Sequence, residues 1–268
     1  MTYYAAAFVL GSILGSFTNV VIYRLPEIAA AGIRPDATRS LLFLAAPLSF
    51  CPNCNTPIRP WYNIPIVSYL WLRGKANCCG HPISIRYPIV ELLGAMIVML
   101  CYWRFGLSWP AAAAVIMCFL LLVVSWIDWQ TYRLPDILVN LLLWGGLFVN
   151  LSGQFAPLPE AVQAAFVGYL GMQLFATGGR LVIGKQILGE GDPKLVAAIG
   201  TWLGLVPMAF VVVIGCALGS VWGMAVWLTR GRRKRDLFLP LGPFLSLAAI
   251  LMLMAGDAIT SLYLDLGQ

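Results

Sequence analysis

Long apolar runs, broken by short polar or proline-containing stretches, recur along all 268 residues. Runs of about 20 such residues are each enough to cross a hydrocarbon core of roughly 30 Å as a helix. They are continuous, not alternating, so they predict helices and not strands. The first span runs from about Tyr3 to Tyr23 and closes at Arg24-Leu25-Pro26. With no basic stretch ahead of it and no clear small-residue cleavage site behind, it reads as a retained span and not a signal peptide. Pro26 to Tyr87 is the one long loop. Further spans follow from Pro88 to Arg104, from Ser108-Trp109-Pro110 to Asp128, from Asp136 to about Leu151 and from about Ala161 to Ile183. Leu195 to Thr229 is too long for one helix and contains Pro207, so two short crossings hinged near that proline are expected, before a last span from about Leu239 to Leu262. The pattern predicts an all-α polytopic membrane bundle of about eight transmembrane spans. It divides into a first span (1–25), a loop domain (26–87) and a membrane core (88–268).

Composition agrees. The chain is 60% hydrophobic and 10% charged, against roughly 25% charged in soluble domains. Its formal charge of +6 is read as a topology signal and not as a nucleic-acid surface, because basic residues in a membrane protein gather on the cytoplasmic side. With the Leu195–Thr229 hairpin, all of the 17 Lys and Arg except Arg104 fall on one side, whereas a single crossing splits them eleven to six. The expected topology therefore has the amino terminus outside and the long loop in the cytoplasm. The basic cluster Arg230 to Arg235 sets that topology and touches anionic lipid.

In this threading Asp128 ends an inward-going span and Asp192 begins an outward-going one, so both sit at the cytoplasmic edge. An acid at a membrane boundary is costly and points to function. Peptide hydrolysis without a nucleophilic side chain needs one carboxylate to take a proton from water and a second, protonated, to polarise the scissile carbonyl. Two acids held close share a proton and titrate as a pair. Gly189 and Gly191, flanking Glu190, are expected to let backbone approach a substrate and to permit positive φ. Asp192 followed by Pro193 also reads as a helix N-cap; Asp136 competes with Asp128 for the acid role, but after Pro135 it reads as the cap of the fourth span. Lys194 is read as a partner of Asp192 or of an acidic substrate position, or as a headgroup anchor. Glu91 and Asn19, polar within spans, are expected to make interhelical hydrogen bonds, or else to line a functional site.

Of seven cysteines, Cys101, Cys118 and Cys216 lie singly in apolar runs and read as small core residues. Cys51, Cys54, Cys78 and Cys79 cluster in the polar loop, in the pattern of a tetrahedral structural zinc site, with His81 as a substitute ligand. Reduced thiols without a metal are the other reading.

The Gly189-x-Gly191-Asp192-x-Lys194-Leu195 stretch, with Ile127-Asp128 and Leu134-Pro135-Asp136, resembles the type IV prepilin peptidases, membrane aspartyl proteases of the GxGD class. Gly15-Ser16-Phe17-x-Asn19, Asn63-Ile64-Pro65, Arg73-Gly74-Lys75, the stretch from Pro82 to Leu92 and Leu241-Gly242-Pro243-Phe244 are similar to the family's other motifs, in order over nearly the whole chain. The family's two C-x-x-C pairs are altered here, because Ala76 stands three residues before Cys79 and Cys78 is extra. The resemblance implies a catalytic dyad of Asp128 and Asp192. It implies cleavage of prepilin or pseudopilin leaders after glycine, at the cytoplasmic face of a bacterial inner membrane, serving a type IV pilus or type II secretion. It also implies N-methylation of the new amino terminus with S-adenosylmethionine. A peptidase without methyl transfer, and a proton-coupled transporter, are the alternatives.

Overall fold

In a computed structural model of the chain, residues 2–30, 50–51, 53–184, 188–230 and 240–266 are described. Arg34, Asp36, Arg39, Lys185 and the basic residues from Arg232 to Arg235 lie outside them. The secondary structure is helical: α1 (Thr2–Ala30), a short α2 (Val67–Trp71), α3 (Arg86–Phe105), α4 (Trp109–Thr131), α5 (Asp136–Asn150), α6 (Leu158–Ile183), α7 (Asp192–Leu203), α8 (Leu205–Arg230) and α9 (Gly242–Leu266). Among the described residues, eight helices of twelve or more residues thus stand where eight spans are expected. Four are long and apolar enough to cross a bilayer, namely Thr2–Glu27 of α1, α3, α4 and Leu205–Thr229 of α8, while α5 and Gly242–Gly256 of α9 are shorter apolar helices. The protein is a polytopic helical membrane protein.

The chain forms two compact units, Met1–Leu107 and Ser108–Gln268. In the first, α1 and α3 pack through small residues. A Cβ added at Gly11 would lie 2.5 Å from the Gly94 carbonyl oxygen, one at Gly15 2.7 Å from Glu91 Cα, and one at Gly94 2.6 Å from the Gly11 carbonyl oxygen. Backbones this close exchange dispersion contacts that a larger residue forbids, the way helices associate where lipid removes the hydrophobic drive. The polar positions join the same seam: Asn19 Nδ2 donates to the Tyr87 carbonyl at 3.1 Å, and Glu91 accepts from the Ser16 side chain.

In the second unit α7 is the hub. Every one of its residues except Lys194 is buried, the mark of a helix enclosed by others. Its twelve residues span about 18 Å at 1.5 Å per residue, short of a bilayer core. The helix ends at Gly204, at φ 82°, so the break expected near Pro207 lies just before it, and Pro207 sits in the first turn of α8, which tolerates it because its missing N–H would be unpaired there anyway. Side chains complete the break. Asn150 donates to the carbonyls of Thr201 (2.8 Å) and Trp202 (3.1 Å) and accepts the amides of Phe155 and Ala156. The Trp202 indole donates to the Leu142 carbonyl at 2.7 Å, and Glu160 accepts the Leu205 amide at the start of α8 at 3.2 Å.

Substituting Gly15 by Val must separate α1 from α3. It is expected to cost at least the roughly 1–3 kcal/mol typical of overpacking, and to lower both membrane accumulation and melting temperature. Gly171→Val, at a helical glycine with open space around it, is expected to leave both unchanged; thermal melts of the detergent-solubilised proteins compare them.

Candidate active site

Helix α4 closes on Tyr132, which takes the left-handed conformation at φ 54° and donates its amide to the Asp128 carbonyl at 2.8 Å. That termination puts Asp128 in the last helical turn, buried at 5% exposure. A carboxylate there faces the negative end of its own helix, unfavourable by about 0.3–1 kcal/mol. The amide of Gly242, first residue of α9, offsets this by donating to Asp128 Oδ2 at 3.0 Å. Only glycine fits: a Cβ at position 242 would lie 2.7 Å from that oxygen and 3.2 Å from the carboxyl carbon.

Asp192 opens α7 and is equally buried. Its side chain does not cap the helix it begins, in contrast to the cap expected from Asp192-Pro193. It turns back, and Oδ2 accepts the Gly189 amide at 2.9 Å. The glycines of the 188–191 turn act by size and not by positive φ: Gly191 has φ −83°, and a Cβ there would sit 2.7 Å from Leu134 Cβ, while one at Gly189 would press on the Asp192 carboxyl.

Asp128 and Asp192 are near enough for the charge of one to be felt at the other. Cys216 of α8 is also within electrostatic reach of Asp192, a placement that its apolar run in sequence does not signal. Lys194 pairs with Asp136, Nζ to Oδ1 at 2.6 Å. With the two side chains 43% and 67% exposed, that pair contributes only about 0–1 kcal/mol. Asp136 makes no capping bond to α5, and Glu190 is exposed. A cavity of about 620 Å³ lies between α5, α6 and α7 with Lys194 at its wall, and neither Asp128 nor Asp192 lines it. The arrangement thus offers two buried carboxyls, each with one oxygen tethered by a main-chain N–H, and so one oxygen apiece available for water or a substrate carbonyl.

In the first unit the cysteine loop folds as two small turns. Isolated antiparallel bridges Phe50–Pro57 and Lys75–Pro82 close them, with Cys51 and Cys54 in one and Cys78 and Cys79 in the other. Asn55 at φ 55° and Gly80 at φ 70° supply the left-handed corners. The four Sγ atoms lie within 4.8 Å of one another, with Cys51–Cys79 at 3.7 Å, Cys54–Cys78 at 3.3 Å and Cys78–Cys79 at 3.8 Å. Four sulfurs bound tetrahedrally at about 2.3 Å would be about 3.8 Å apart, so the thiols fit a metal ion. Adjacent Cys78 and Cys79 therefore both reach the cluster, and His81 is not part of it; its carbonyl instead takes the Ala76 amide. Donation from the Thr56 hydroxyl and amide lowers the Cys54 thiol to about 6. Cys78, hydrogen-bonded to Cys54, is pushed up to about 12.

The comparisons follow these two units. Residues 9–105 match the bacterial peptidase A24 N-terminal domain, and residues 115–224 match the type IV leader peptidase family. Three bacterial proteins named prepilin leader peptidase/N-methyltransferase are similar to it. That of Burkholderia pseudomallei is 42% identical over 98% of this chain and 88% of its own. That of Pseudomonas aeruginosa is 38% identical over 96% and 91%, and that of Neisseria gonorrhoeae 38% over 94% and 91%. No solved structure matches the chain. With both units matched and relatives of this identity over nearly its whole length, the chain belongs to the type IV leader peptidase family.

Proposed function

We propose that the protein is an aspartyl peptidase that removes the leader of prepilins or pseudopilins, and that it methylates the amino terminus so exposed using S-adenosylmethionine. The observation that carries this is the pair of buried carboxyls, Asp128 and Asp192, each tethered by one main-chain N–H within a single unit. One acid, ionised, takes a proton from water as the water attacks the scissile carbonyl. The other, protonated, donates to the carbonyl oxygen as charge develops there, and the roles reverse when the tetrahedral centre collapses. Fixed donors on the far oxygens hold both groups in register without reorganisation during the reaction.

The distribution of Lys and Arg supports an inner-membrane protein whose acids face the cytoplasm. The cysteine cluster supports zinc, with Cys51, Cys54, Cys78 and Cys79 as ligands. A zinc ion bound there supplies folding energy to the loop and has no part in peptide cleavage.

Asp128→Ala and Asp192→Ala are each expected to lower leader removal by at least roughly 10²–10⁴-fold, the scale of a lost acid or base, while the protein still accumulates. Immunoblots of a co-expressed prepilin read this, and persistence of processing in both variants would end the dyad assignment. Gly242→Ala keeps its N–H but drives a methyl group against Asp128. It is expected to cut cleavage at least tenfold with little change in the melting temperature of the protein. Elemental analysis of the purified protein should find about one zinc per chain and lose it in Cys54→Ser; an equal metal content in wild type and variant would refute these ligands.

A further inference from the structure

The least comfortable backbone in the first unit belongs to Ile66, at φ 63° and ψ −51°. For a β-branched residue this is a true outlier. It is the centre of a γ-turn of the high-energy form, in which the Val67 amide donates to the Pro65 carbonyl at 2.6 Å. One specific bond holds it there: the Ile66 amide donates to Glu91 Oε2 at 2.7 Å, and the Ser16 side chain bonds the same carboxyl. Nearby on α1, Asn19 is 2% exposed. It spends its amide hydrogens on main-chain carbonyls, and its Oδ1 has no partner among the described residues. The Glu91 carboxyl and Asn19 Oδ1 are the acceptors of this corner.

Against it lies a cavity of about 290 Å³ walled by Ile13, Ser16, Phe17, Val20, Asn63 and Pro65. The strained turn is its rim, and Ser16 links its wall to the carboxyl behind. Strain held in place by a buried group, at the edge of a cavity, is how a preorganised binding site stores the work of orienting a ligand. A cluster of acceptors next to apolar side chains is complementary to a cation carried on an apolar residue.

We propose that this corner of the first unit binds the methyl acceptor, the free ammonium group of an apolar amino-terminal residue. The ammonium faces Ser16, with the Glu91 carboxyl and Asn19 Oδ1 behind it, and the apolar side chain lies against Ile13, Phe17 and Val20. The assignment rests on the methyl-transfer reading above and gives that activity a place separate from the two aspartates. The ammonium first gives one proton to the Glu91 carboxylate by way of the Ser16 hydroxyl. The lone pair so freed on nitrogen forms a bond to the methyl carbon as the carbon–sulfur bond of the sulfonium donor breaks, the electron pair of that bond stays on sulfur, and the product is a methylammonium.

The test uses the full-length protein. With a co-expressed prepilin, Glu91→Gln is expected to leave leader cleavage within twofold of wild type and to lower the methylated fraction of mature amino termini at least tenfold by mass spectrometry. A short peptide with a free amino-terminal phenylalanine is expected to bind the purified protein at least tenfold more tightly than its N-acetylated form. That preference should vanish in Glu91→Gln, and S-adenosylmethionine binding should be unchanged. Full methylation in the variant, or equal binding of the two peptides to wild type, would overturn the proposal. So would loss of S-adenosylmethionine binding in place of peptide binding, which would give the corner to the donor. Cleavage and methylation falling together in Glu91→Gln would also count against it, unless Ser16→Ala, which keeps the buried carboxyl, separates them as predicted. If wild type cleaves without methylating, the methyl-transfer reading fails, and the peptide comparison still decides the site.

Discussion

A carboxyl group enclosed by apolar helices holds one position only where the protein supplies the donors that water would have given. Both central acids meet that condition in the same way, by accepting a single N–H from a glycine of the main chain, Gly242 for Asp128 and Gly189 for Asp192. A main-chain donor has no rotamers to order, so the carboxyl is placed as accurately as the backbone that carries the amide. The start of α9 and the 188–191 turn are thereby part of the site although no side chain of theirs enters it. The need for glycine follows from the same contacts, because the donors can come so close only where nothing projects from the α-carbon.

The first unit follows a related logic with a different outcome. Glycine again allows close approach, here of α1 to α3, and the approach traps Glu91 and Asn19 between helices and loop. Glu91 then takes its donor from a turn that bends against its own preference, at Ile66. The polar seam therefore stores conformational energy where the seam of the second unit relieves an electrostatic one.

Much of this was legible in the sequence. The helices follow from the apolar runs, and the GxGD and cysteine patterns put forward the two acids and the four thiols that the structure draws together. What escaped depends on contacts distant in sequence. Gly242 stands 114 residues from Asp128, and nothing local to Leu241-Gly242-Pro243-Phe244 distinguishes a donor to an acid from an ordinary helix start. Pro207 drew the predicted hinge to itself, while the break is at Gly204; glycine just past one helix and proline just inside the next is the asymmetry that marks such a boundary. Asp192 satisfies every local rule for a cap, yet its carboxyl points the other way, since the Gly189 amide competes for it. Adjacent Cys78 and Cys79 both bring their sulfurs into the cluster, 3.8 Å apart, which their spacing in the sequence does not announce.

Helix α7 ends inside the protein, where its last carbonyls have no solvent to turn to. Asn150 takes over the role of solvent there, and Trp202 is bolted to the neighbouring helix by its indole. Secured along its length and at its far end, α7 behaves as a fixed wall carrying Asp192. The position of the Asp192 carboxyl is thus inherited from a braced helix and the 188–191 turn, whereas that of Asp128 depends on the end of α4 and on the first amide of α9.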